Sequence, residues 1–103
     1  MAKLPIDYHP MARLEAMEAF DWYRERSLPA AQRFQRELEE AQRAIQDLPD
    51  AWPGYLAGTR HYLLKRFPYG VVFRRVESQI EILAIAHTRR EPGYWGARLE
   101  DLE

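Results

Sequence analysis

The sequence predicts an α+β fold: an N-terminal strand, a two-helix antiparallel hairpin and a small, mainly antiparallel sheet, in the order β-α-α-β-β-β. Three observations predict it. Apolar residues recur at helical spacing between positions 11 and 48, the pattern turns strand-like after residue 58, and the links between the later segments are short. At 103 residues the chain is expected to form one domain, residues 1–103, around one modest core. A hydrophobic fraction of 47% and an aromatic fraction of 13% fit a folded chain and not a disordered one.

The first strand is expected over residues 3–8, where Leu4, Ile6 and Tyr8 alternate with polar neighbours and Pro5 points to a sheet edge. Pro10 suits a helix's first turn, where a missing N–H costs nothing. From Met11 to Arg26 the residues Ala12, Ala16, Ala19, Phe20 and Tyr23 fall on one helix face, with Glu15, Glu18, Asp21, Arg24 and Glu25 on the other. Ser27 is a candidate cap for a second helix opening at Pro29. In that helix Phe34, Leu38, Ala41, Ile45 and Leu48 step by four and three residues, and Pro49 ends it. So short a connection makes the helices an antiparallel hairpin whose apolar faces need a sheet to cover.

Residues 49–58, PDAWPGYLAG, read as a loop by their Pro and Gly content. Strands are then expected over residues 59–67, 69–76 and 79–86, paired antiparallel because their links are short. Val71, Val72 and Phe73, and likewise Ile80, Ile82, Leu83 and Ile85, are apolar on both faces, which places those strands centrally. A C-terminal loop or helical turn follows.

Composition excludes several classes. There is no cysteine, so disulfides and thiolate metal sites are ruled out. The apolar runs are far shorter than the roughly 20 residues of a membrane helix and the N-terminus lacks a signal-peptide core, so the expectation is a cytoplasmic protein with no membrane partner. No phosphate loop, GxSxG elbow, HExxH or zinc pattern is present, and neither a cofactor nor a metal is expected. The formal net charge of −1 hides an asymmetry: residues 1–57 carry −3, residues 58–98 carry +5, and an acidic tail (Glu100, Asp101, Glu103) restores the sum. Such polarity suits an anionic partner for the second half.

The candidate chemistry gathers after the last strand, where His87, Arg89, Arg90, Tyr94, Trp95 and Arg98 follow within a dozen residues. Cleavage of a phosphodiester through a ribose hydroxyl needs proton carriers and positive charge. His87 or Tyr94 could move protons, and Arg60, Arg89 or Arg90 could stabilise the charge. Equally, a histidine at a strand end can be structural, and Tyr94 with Trp95 can simply close the core. On a regular strand Arg60 and His61 face opposite ways and cannot serve one site.

Arg60 with Phe67, Pro68 and Tyr69, and the run Ala84, His87, Arg89, Arg90, Pro92, Tyr94, Trp95, resemble the signature of the RelE/ParE superfamily of bacterial type II toxin–antitoxin toxins. The WYRERS segment, the Phe34 helix and the IQDLPDAWP stretch are similar too, so the resemblance spans nearly the whole chain. It implies a helical hairpin on a small antiparallel sheet, and a growth-inhibiting toxin neutralised by a short antitoxin that wraps its surface, with room for self-association inside that complex. RelE-like members cleave mRNA on the ribosome; ParE-like members poison DNA gyrase and lack a nuclease site. The chain is closer to the ParE-like, plasmid-stabilisation branch by its HTRREPGYW form and long hairpin, and it lacks the strong basicity that ribosome binding favours. For a nuclease, the implied catalytic residues are His87, Tyr94 and Arg60. For either target, Arg60, Arg89, Arg90 and Arg98 are the implied anion- or target-binding residues.

Overall fold

The computed structural model describes residues 3–101; Glu103 of the acidic tail lies outside them. The chain runs β1 (Ile6–Tyr8), α1 (Pro10–Arg26), α2 (Leu28–Asp47), β2 (Arg60–Leu63), β3 (Tyr69–Val76) and β4 (Gln79–His87), with 3-10 turns at Leu56–Gly58 and Gly96–Glu100. The expected α+β order is present. The sheet order is β1-β4-β3-β2, with β2, β3 and β4 antiparallel and β1 parallel to β4.

Local chemistry sets the helix ends. His9 opens α1 by accepting the Met11 N–H at Nδ1 (3.0 Å), and Pro10 fills the first turn. Ser27 alone joins the two helices. Its backbone N–H closes α1 on the Tyr23 carbonyl (2.7 Å), and its hydroxyl caps α2 by accepting the Ala30 N–H (3.2 Å). In α2 the predicted stripe is buried at Phe34, Leu38, Ala41 and Ile45, with Ala31 beside them, but not at Leu48, which caps the C-terminal end of the helix and is exposed. Only Ala12 and Ala19 of α1 are fully buried, and their small size lets the helix lie close to the sheet.

The core has two parts. On one face the helices meet Val71, Phe73, Ile80, Ile82 and Ile85; on the other, Trp95 of the C-terminal segment packs on Val72, Leu83 and Ala84. A register shift between Val72 and Phe73 explains how β4 serves both. Strict alternation would put Ile82 and Ile85 on opposite faces; the bulge resets the parity, so both reach the helices while Leu83 and Ala84 face Trp95. Trp95, only 1% exposed, is a lid on the second face.

Three expectations are corrected. The first strand begins at Ile6, and it pairs with central β4, reached across the helical hairpin. The second strand, expected over residues 59–67, stops at Leu63, because Glu37 of α2 draws the chain away by accepting the Lys65 and Arg66 amide protons (2.9 and 3.2 Å). Glu15 does not lie on the solvent side of α1. It sits on the Ala12–Ala19 face, its side chain 11% exposed. No helix among the described residues is long and apolar enough to cross a membrane.

Candidate functional site

Two connections meet at one end of the sheet. Tyr69 pairs with His87 across β3 and β4, and the Thr88 N–H donates to the Pro68 carbonyl (2.8 Å). The β2–β3 link, carrying Lys65 and Arg66, therefore lies beside the chain leaving β4, which carries Arg89 and Arg90. All four cations are exposed. Among the described residues, Lys65, Arg66 and Arg89 have no carboxylate within ion-pair distance, and Arg90 only a loose one, Nη1 to Glu15 Oε2 at 3.9 Å. This is a basic rim on a protein of nearly neutral net charge. The opposite end, around the β3–β4 turn, gathers Asp7, Glu77, Glu81 and Asp101 around one open cleft.

Behind the rim, Glu15 organises the C-terminal segment. β1 pairs with β4 only as far as Ile82, so the β4 backbone beyond it has no strand partner on that side. Glu15 and Arg98 take that place: Glu15 Oε1 accepts the Ile85 N–H (3.0 Å), and Arg98 Nη1 donates to the Leu83 carbonyl (2.9 Å). Arg98 also grips Glu15 in a two-pronged ion pair (2.9 and 3.0 Å), and the Tyr94 hydroxyl donates to Glu15 Oε2 at 2.6 Å. Burial, then the hydrogen bond and negative charge of Glu15, push the Tyr94 phenol far above its ordinary value. Tyr94 is thus a fixed donor whose proton is held, with Arg90 stacked on its ring at 3.7 Å.

The sequence candidates separate accordingly. His87, Arg89, Arg90 and Tyr94 come together at the rim. His87 accepts the Arg89 N–H at Nδ1 (3.0 Å) and meets the Tyr69 ring edge-on. Arg98 lies behind the rim, its side chain 11% exposed and fully engaged. Arg60 is elsewhere: it pairs with Phe73, four residues along β3 from Tyr69, roughly 13 Å away. Its guanidinium donates to the Trp52 carbonyl (2.7 Å) and ties down the preceding loop. Arg60 and His87 do not converge.

Several residues of this end escaped the sequence reading. Lys65 and Arg66 look like the tail of a strand until Glu37 turns them outward. Glu15 was legible: it lies three residues from Ala12 and four from Ala19, a carboxylate on the apolar stripe of its helix. His61, on the face opposite Arg60, lies flat on Tyr55 (centroids 4.3 Å, 12° between planes), and burial lowers its pKa. It reaches across β3 only because residue 70 is glycine: a Cβ there would fall on His61 Nε2.

Between α1 and the rim runs a cleft of about 450 Å³, walled by Trp22, Tyr23, Tyr69, His87, Arg90 and Tyr94. Its aromatic walls and single cationic lip have the composition of a protein-binding hot spot. Among the described residues there is no cluster of three or more acidic or imidazole groups arranged to hold a metal ion.

The solved structure of the chromosomal ParDE toxin–antitoxin system from P. aeruginosa matches the fold with a TM-score of 0.73 at 21% identity, covering 84% of this chain and 98% of that one. No curated protein sequence matches significantly. The family model described as the ParE toxin of the type II toxin–antitoxin system, parDE, matches residues 6–92, leaving Tyr94, Trp95 and Arg98 beyond the matched stretch. The chain belongs to the ParE toxin family of type II toxin–antitoxin systems.

Proposed function

We propose that this ParE-family toxin inhibits growth by binding DNA gyrase through its basic rim, and that its cognate antitoxin neutralises it by covering that rim with an acidic and apolar segment. The carrying observation is the state of the groups a nuclease would need. The Tyr94 hydroxyl is a donor locked on Glu15, Arg98 is consumed by the same carboxylate, and Arg60 points into a loop at a distance. That leaves no assembled acid–base pair among these candidates, while Lys65, Arg66 and Arg89 are exposed with no ion-pair partner among the described residues and Arg90 is held only loosely by Glu15.

One observation favours the second reading, a ribosome-dependent endoribonuclease. His87 stands at the rim beside Arg89 and Arg90 with its Nε2 side uncommitted to any protein partner among the described residues. The two readings separate in one comparison. Purified protein is tested for inhibition of gyrase supercoiling and gyrase-dependent DNA cleavage, and in parallel for mRNA cleavage during in vitro translation. The gyrase reading expects the first effect alone; mRNA cleavage with gyrase untouched reverses the assignment.

A further inference from the structure

We propose that the basic rim continues onto α2 and binds the phosphate backbone of duplex DNA, straddling a minor groove. The proposal deepens the gyrase reading, on which it rests, by naming the DNA that the enzyme holds as the rim's ligand.

The band of cations is wider than the sheet end alone. Arg33 lies one turn before Glu37 on the same flank of α2. Glu37 Oε1 accepts the Lys65 and Arg66 amide protons (2.9 and 3.2 Å), which sets Arg33 beside those two cations and fixes the backbone that carries them. Like Lys65, Arg66 and Arg89, Arg33 is exposed and has no carboxylate within ion-pair distance among the described residues; Arg90 has only its loose contact with Glu15. By contrast Arg75, at the other end of β3, pairs with Asp50 at 3.0 Å.

Spacing points to a DNA duplex. Lys65 and Arg66 sit in the β2–β3 link and Arg89 and Arg90 beyond β4, on either side of the start of β3. Neighbouring strands are about 4.8 Å apart, so the two rows lie roughly 5–10 Å from one another. The minor groove of B-DNA is about 6 Å wide, so one row can meet each of the strands that border it. In an RNA duplex that groove is wide and shallow, a poorer match to the two rows. A single strand needs open aromatic faces on which to stack its bases, and the rings at this end are engaged. Arg90 lies 3.7 Å from the Tyr94 ring centre, Arg26 covers one face of Trp22 at the same distance, and Tyr69 meets His87 and Phe34 edge-on.

The net charge of −1 does not oppose binding. Asp7, Glu77 and Asp101 gather at the far end of β3, whose 8 residues span roughly 25 Å. That distance is well beyond the Debye length of about 8 Å at physiological ionic strength, so their repulsion of a phosphate at the rim is screened.

The test uses the isolated toxin and a fluorescein-labelled DNA duplex of mixed sequence, read by anisotropy from low to physiological salt, with an RNA duplex and single-stranded DNA as competitors. The expected result is sequence-independent binding of the DNA duplex, with log affinity falling against log salt at a slope of about −4 for five phosphate contacts. Arg89→Ala/Arg90→Ala and Arg33→Ala/Arg66→Ala should each lose at least fivefold in affinity and make the slope shallower by about two. Arg75→Ala should change neither, and circular dichroism of each variant checks folding. Absence of binding at low salt overturns the proposal, as does binding indifferent to both double variants or a tenfold preference for either competitor. Gyrase inhibition by the same preparations is scored separately: inhibition by a toxin that binds no DNA sinks this proposal alone, and DNA binding without gyrase inhibition sinks only the target.

Discussion

Glu15 carries more of the site's geometry than any residue at the rim itself. Its carboxylate satisfies a backbone amide of β4, the Tyr94 hydroxyl and both terminal nitrogens of Arg98. Removing one partner of such a buried pair leaves the other uncompensated, so Glu15→Gln and Arg98→Met are each expected to cost about 3 kcal/mol in urea unfolding, with the double variant costing less than the sum. Additive losses would show that the pair is not the coupling. Tyr94→Phe keeps the ring under Arg90 and loses only the hydroxyl; it should cost about 1–2 kcal/mol and leave growth inhibition intact. The sequence offered Tyr94 and Arg98 as reactive or anion-binding groups because residue type is all it displays. Their occupation by Glu15, 79 and 83 positions away, is a tertiary fact that no local spacing reveals.

At the scale of elements, strands and helices were largely legible. β3 spans residues 69–76 as expected, since its apolar positions are dense and its flanks are polar or turn-forming. The antiparallel hairpin follows from the Ser27 break, whose cap on Ala30 makes Ser27→Ala a loss of about 1 kcal/mol by thermal or urea unfolding. The bulge in β4 was not legible, because a continuous apolar run reads the same whichever face each residue takes. The β3–β4 turn is strained: Glu77 adopts φ 55°, a left-handed conformation a glycine takes without cost. Glu77→Gly should therefore raise stability by about 1 kcal/mol, and an unchanged or lowered midpoint would show that the side chain compensates for the strain. Gly70→Ala should push His61 off Tyr55 and destabilise by about 1–3 kcal/mol, with His61→Ala restoring part of the loss.

The whole molecule is polar in charge along its sheet, basic at the β4 exit and acidic at the β3–β4 turn. Composition suggested a basic second half, but folding splits it: Arg74 and Arg75 pair with Glu81 and Asp50, leaving the rim to Lys65, Arg66, Arg89 and Arg90. Its pH dependence follows from the buried rings. Burial raises the phenols of Tyr8, Tyr23, Tyr69 and Tyr94, so the folded state holds those protons more tightly and stability falls as pH rises above about 10. Burial lowers His61, so the unfolded chain binds that proton first and stability falls as pH drops below about 6.5. Stability against pH should show a plateau between these limits, with the alkaline limb shallower in Tyr94→Phe. The rim's role as a binding surface is tested most directly by titrating gyrase supercoiling with wild-type toxin, His87→Ala and Arg89→Ala/Arg90→Ala. If the rim binds rather than catalyses, the wild type and His87→Ala inhibit at the same near-stoichiometric concentration, while the double arginine variant needs at least tenfold more. Loss of inhibition in His87→Ala alone, with the arginine variant unimpaired, would contradict it.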